Sequence, residues 1–104
     1  MGDSTAKRPA AQVIYERAVQ REREAIKMHE AAARRHEDVA QELEQHALKD
    51  PNEALRDAAL DSAANARRRG EQARARAAAA RQRLRDEGID PDAEDADGPA
   101  PVRR

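Results

Sequence analysis

The residues with the clearest capacity for chemistry are three histidines and a run of arginines. His29 and His36 stand seven residues apart, and Glu22 stands seven before His29. Imidazole nitrogens and carboxylate oxygens are both metal donors, so such a polar column first suggests a metal site. The spacing argues against it, because seven helical residues rise about 10.5 Å while ligands approach an ion to about 2 Å. The Glu-x-x-His pairing of di-iron bundles is absent as well. Ile26, Ala33 and Leu43 stand three residues before His29, His36 and His46. No metal or other cofactor is expected. His29 and His36 are read as packing or register-setting residues, and a metal-binding bundle is the last of three functional readings.

The arginines are Arg67, Arg68, Arg69, Arg74, Arg76, Arg81, Arg83 and Arg85, accompanied by the single acid Glu71. A surface of this density can meet a phosphate backbone. Seven acids follow at once: Asp86, Glu87, Asp90, Asp92, Glu94, Asp95 and Asp97. Across the chain 20 Lys and Arg balance 21 Asp and Glu, and Tyr15 is the one aromatic. Base stacking therefore has no platform. Nucleic-acid binding through this surface would be non-specific and salt-dependent, with the acidic tail acting as an autoinhibitory competitor. It is the second functional reading.

No catalytic constellation is visible. The aliphatic hydroxyls are Ser4, Thr5 and Ser62, there is no cysteine, and the four glycines are isolated from one another. Neither an activated nucleophile nor a glycine-rich phosphate loop can be built from these. The chain is read as a non-enzyme.

The elements that must position these residues are set by a restricted alphabet. Of 104 residues 25 are alanine, Leu, Ile and Val together number 12, and Phe and Trp are absent. A β-sandwich or α/β core needs the branched and aromatic residues that are missing here. No apolar run approaches the ~20 residues of a membrane span. The N-terminus shows no apolar segment of the kind a secretory signal carries, so a cytoplasmic location is expected. The abundance of Ala and Arg suggests a GC-rich coding sequence, which bears on source and not on function. Long packed helices or disorder remain.

Proline divides the chain. About 40 residues free of Pro and Gly separate Pro9 from Pro51, and only Gly70 interrupts the stretch from Pro51 to Gly88. Both stretches are rich in Ala, Arg, Glu and Gln, strong helix formers. The expected organisation is a flexible N-terminus at 1–8, a first helix over about 9–49, a turn at 50–51, a second helix over about 51–87, and a disordered Asp/Pro/Ala tail at 89–104. Asp50 suits an N-cap, Pro51 the first helical position and Glu53 the N3 position. Gly88 suits a left-handed C-cap, with Leu84 and Ile89 as its hydrophobic pair. The fold class is all-α: an antiparallel two-helix hairpin, an alanine-rich coiled coil.

A seam follows from the spacing. Val19, Ile26, Ala33, Ala40 and Ala47 recur every seven residues, and Leu43 and Leu48 extend this face towards the turn. On the second helix Leu55, Ala59, Ala63, Ala66, Gly70, Ala73, Ala77, Ala80 and Leu84 alternate steps of four and three. Antiparallel alignment sets Leu48 against Leu55, Ala33 against Gly70, Ile26 against Ala77 and Val19 against Leu84. Glu30, Glu37 and Glu44 form a flanking column, and Arg67, Arg74 and Arg81 form one on the second helix, placed to cross between helices. A second apolar column on the first helix, Ile14, Ala18, Ala25, Met28, Ala32 and Val39, cannot also face the second helix. It is expected to be an oligomer face, joining two hairpins into a four-helix bundle or receiving a helical protein partner. The leading functional reading is a non-catalytic protein–protein interaction or scaffold module acting through a self-associating hairpin, with no membrane partner.

Overall fold

A computed structural model describes residues 9–93. Residues 1–8 and 94–104, and with them the expected flexible N-terminus and most of the acidic tail, lie outside the described residues. The chain forms two long helices, α1 (Ala10–Lys49) and α2 (Glu53–Asp86), packed against each other as an all-α hairpin. There is no strand among the described residues. At 1.5 Å per residue the helices run about 60 Å and 51 Å. Neither is long and apolar enough to cross a membrane.

Local chemistry sets the ends. Asp50 precedes a proline and is extended (φ −83°, ψ 125°), which stops α1 while the Asp50 N–H still donates to His46 O at 3.1 Å. The start of α2 differs from the expected capping box at Asp50. The N-cap is Asn52, whose Oδ1 accepts from Leu55 N at 3.1 Å, and the helix begins at Glu53. Asp50 is used one step earlier, its Oδ1 accepting from Asn52 N at 2.8 Å in an Asx turn. Two capping residues lie two apart here, and the chain assigns the turn to the first and the helix to the second.

The core is a strip of small residues. Ile26, Ala33, Ala40 and Ala47 of α1 are buried, as are Ala59, Ala63, Ala66, Gly70, Ala73, Ala77, Ala80 and Leu84 of α2. Ile26 packs with Ala77, Ala80 and Leu84, joined by half-buried Val19 and Ile89. Ala40 packs with Ala63 and Ala66, joined by half-buried Leu43. At the middle, a Cβ added to Gly70 would lie 3.4 Å from Glu37 Cγ, 3.5 Å from Ala33 O and 3.7 Å from His36 Cβ. The backbones meet there with room for one methyl.

Two seam positions are corrected. Leu48 and Leu55 are 80% and 54% exposed and do not close the turn end of the seam. Leu48 follows the buried Ala47 by one residue, about 100° around the helix. The register that sets Gly70 beside Ala33 sets Leu55 level with Leu48 in the last turn of α1, where both side chains lie outside the seam.

The C-terminal end of α2 closes as a Schellman motif. Gly88 adopts φ 78°, Gly88 N donates to Arg85 O at 2.9 Å, and Ile89 N donates to Leu84 O at 2.8 Å. Disorder expected from residue 89 is corrected for 89–93. Arg23 Nε and Nη2 donate to Asp90 O at 3.1 and 2.9 Å, Pro91 is buried, and Arg81 pairs with Asp92. The positive φ of Gly88 turns the chain back along the helices, and two arginines hold it there.

Ile26 is the largest fully buried side chain, 1% exposed. Ile26→Ala is expected to cost about 2–5 kcal/mol, the range for a large-to-alanine change in a packed site. Gly70→Ala is expected to gain roughly 0.5–1 kcal/mol, because the methyl fits and alanine is the better helix former. Gly70→Leu would meet the Ala33 carbonyl and force the helices apart. Thermal melts of the three variants check this ordering.

Candidate interaction surface

Both flanks of the seam carry arginines, but only one meets a column of acids. Arg67 pairs with Glu44 at 2.6 Å, Arg74 with Glu37 at 2.6 Å, and Arg81 with Glu30 at 2.5 Å. The first two are bidentate, with Arg67 Nε and Arg74 Nε donating to the second oxygen at 2.8 and 2.7 Å. Guanidinium planes match carboxylates in this geometry. The three rungs recur every seven residues on each helix, running opposite ways, so they fix antiparallel register along much of the hairpin.

These contacts shift the ionisation of their members. Hydrogen bonds from Arg74 hold the Glu37 carboxyl below its ordinary range, with the charges of Arg74, Arg67 and Arg34 acting the same way against partial burial. Hydrogen bonds from Arg67 do the same for Glu44. Their carboxylates raise the pKa of Arg74 and Arg67 in turn, and Asp92 and then Glu30 raise that of Arg81.

The opposite flank is different. Arg83 reaches Glu22 at 2.8 Å. Arg69 and Arg76 are exposed and make no ion pair among the described residues. The column of α1 on that side is Ala18, Ala25, Ala32 and Val39, which offers no acid. It is the edge of the expected oligomer face. Ile14, Met28 and Val39 are 64%, 69% and 47% exposed, Ala18 is exposed, and Ala25 and Ala32 are half-buried. Ala18, Ala25, Ala32 and Val39 form an apolar column, with Ile14 and Met28 beside it and Arg21 and Arg35 interspersed.

The remaining candidates are dispersed or engaged. His29 and His36 are half-buried at the seam edge, and Glu22 of their column is held by Arg83. Among the described residues no three or more His, Asp or Glu side chains are grouped to hold a metal ion. His46 Nε2 lies 3.2 Å from Asp50 at the end of α1. Of the eight arginines proposed for nucleic acid, Arg67, Arg74, Arg81 and Arg83 are in ion pairs within the hairpin, and Arg68 donates to Asn65. Arg68, Arg69, Arg76 and Arg85 are exposed and make no ion pair with a carboxylate among the described residues. Ser62 is exposed on α2. The Arg83–Glu22 pair was not visible in the seven-residue columns, because Glu22 belongs to the histidine column.

No protein-family model, curated protein or solved structure matches this chain.

The ladder is testable by exchange. Arg74→Glu is expected to lower the melting temperature, and Arg74→Glu with Glu37→Arg to restore most of the loss. Its pH dependence follows from the lowered carboxyl pKa values. The contribution of Glu37 and Glu44 is complete above the unfolded glutamate value of about 4.3 and is lost as pH falls through the lower folded values. Melting temperature should therefore fall on the acid side of pH ~4, with a shallower slope in a Glu37→Gln, Glu44→Gln double variant.

Proposed function

We propose that the protein is a non-catalytic interaction or scaffold module, and that its contact surface is the outer stripe of α1. The observation that carries this is the exposure of Ile14, Met28 and Val39 in line on one face while the hairpin core is filled mostly with alanine. Scattered exposed apolar residues are ordinary on a surface, whereas apolar residues recurring at coiled-coil spacing along one face mark a place of contact. A helix laid along the stripe, with anchors at heptad spacing, is the occupant that geometry suits, whether from a second copy or from a different helical protein. The ion-pair ladder on the other flank keeps the hairpin rigid beneath it.

The nucleic-acid reading rests on fewer groups than the sequence offers. Four of the eight arginines are engaged by Glu44, Glu37, Glu30 and Glu22, and Arg81 also holds Asp92. Arg68, Arg69, Arg76 and Arg85 remain, few for a strong polyanion surface, since affinity grows with each phosphate neutralised.

A photo-reactive amino acid at position 28, in cells producing the chain, tests the interaction reading. The expected result is a covalent protein adduct from position 28 and none from position 57, an exposed site on α2. Equal yields at the two positions, or none at either, would overturn it.

A further inference from the structure

The stripe carries its own register. Ala11, Ile14, Ala18, Arg21, Ala25, Met28, Ala32, Arg35, Val39 and Glu42 follow one another in alternating steps of three and four. That is the rhythm of a coiled-coil seam, and it is distinct from the seam facing α2. Its edge away from α2 carries Arg17, Glu24, Ala31 and Asp38 at seven-residue spacing. Arg17, Glu24 and Asp38 are exposed and make no ion pair among the described residues.

Resting on the interaction reading above, we propose that the occupant of the stripe is a second copy of this chain. Its α1 runs antiparallel to the first about a two-fold axis between Ile26 and Lys27, with Ile14 facing Val39 and Arg17 facing Asp38 in both directions.

The alternatives fail on charge. A parallel pair stacks Arg21 on Arg21 and Arg35 on Arg35 in the middle of the contact. An antiparallel pair displaced by one heptad in one sense sets Glu24 against Asp38, and displaced in the other sets Glu24 against itself. Like charges directly opposed destabilise such contacts. In the proposed register Glu24 faces Ala31, and Arg17 and Asp38 form two reciprocal pairs. Size agrees with charge. Met28 lies over Ala25, Arg21 over Ala32 and Arg35 over Ala18, so each long side chain crosses a methyl. The arginine stems cover apolar surface while their guanidinium groups reach solvent. Ile14 and Val39, the branched residues, meet at both ends. A two-fold contact must be self-complementary in this way, and the result is an antiparallel four-helix bundle with α1 helices at its centre.

The chain has no cysteine, so introduced ones report without background. Single variants Ile14→Cys, Val39→Cys, Ala32→Cys and His46→Cys of the full chain would be equilibrated in a thiol–disulfide buffer, alone and in mixtures. Helicity of each is checked by circular dichroism. The expected product is a disulfide between positions 14 and 39 in the mixture, with neither variant linking to itself. In this register like positions at 14 lie about 37 Å apart. Linkage of 14 to 14 identifies a parallel pair. Linkage of 14 to 32 or 14 to 46 identifies a heptad shift. Any of these three as the main product overturns the register while leaving self-association intact. A sedimentation profile of a strict monomer overturns the second copy as occupant, and the photo-adduct at position 28 then decides separately whether another protein takes the stripe. Arg17→Glu provides the second arm: association should weaken at least several-fold and recover when Asp38→Arg is added. A weakening that the second change deepens would also overturn the register.

Discussion

Everything in this molecule depends on how closely two helix backbones approach. Near Ala33 and Gly70 the space between them accepts one methyl group, and the buried residues on either side are almost all alanine. Small side chains bury little area each, so the stabilisation is spread over a long contact. Closeness makes up part of the deficit, because backbones at short range gain dispersion contacts along the whole length of the seam. It also brings the flanking arginines within reach of carboxylates on the other helix. The ladder of Arg67, Arg74 and Arg81 with Glu44, Glu37 and Glu30 is a consequence of the narrow seam.

The ladder then specifies what the alanines leave open. A column of identical methyl groups fits its partner in several registers, since sliding by one heptad replaces alanine with alanine. Charged pairs break that degeneracy. A shift by seven residues re-pairs two of the arginines with other glutamates of the column and leaves the third without one, against Arg23 in one direction and Pro51 in the other. Exposed ion pairs contribute little stability singly. Their value here is discrimination, aided at the far end by Ile26 and Leu84, the two large side chains that are buried. The return of residues 89–93, held by Arg23 and Arg81, closes that end.

What could be read from residue order was whatever depended on local rules or on a period. The column through Ile26, Ala33 and Ala40 repeats every seven residues and is visible without coordinates, as is the Leu84–Gly88–Ile89 ending. The apolar stripe was visible for the same reason. Leu48 and Leu55 were misplaced because their exposure depends on where the turn begins. Asp50 and Asn52 are equally good caps, and the choice between them moves the first turn of α2. The ordered return after Gly88 was hidden by its composition. Asp90 and Pro91 resemble tail residues, and what retains them is Arg23, 67 positions away. The engagement of Glu22 by Arg83 was hidden too, since it crosses between columns instead of following one.

The two flanks of the hairpin differ in a way that bears on use. On one, arginines of α2 face a column of glutamates. On the other, Arg83 alone finds an acid, Glu22, and the outer column of α1 beside Arg69 and Arg76 is three alanines and a valine. Glutamates at positions 25, 32 and 39 would have offered Arg83, Arg76 and Arg69 a second ladder at a small cost in helix propensity. The column is apolar instead, and it runs into the stripe containing Ile14 and Met28. Among the described residues Ile14, Met28, Val39, Leu48, Leu55 and Leu60 are exposed, while Ile26 and Leu84 are buried and Val19, Leu43 and Ile89 pack half-buried against the core. Full burial of such a side chain is worth about 1.5–3 kcal/mol. With the Arg83–Glu22 pair alone on one flank and these side chains in water, the hairpin keeps the exposed face on which the proposed contact rests. The alanine and valine column beside Arg69 and Arg76 is the inner edge of the same exposed face of α1, so the weak electrostatics of that flank and its exposed apolar residues share one origin in the sequence.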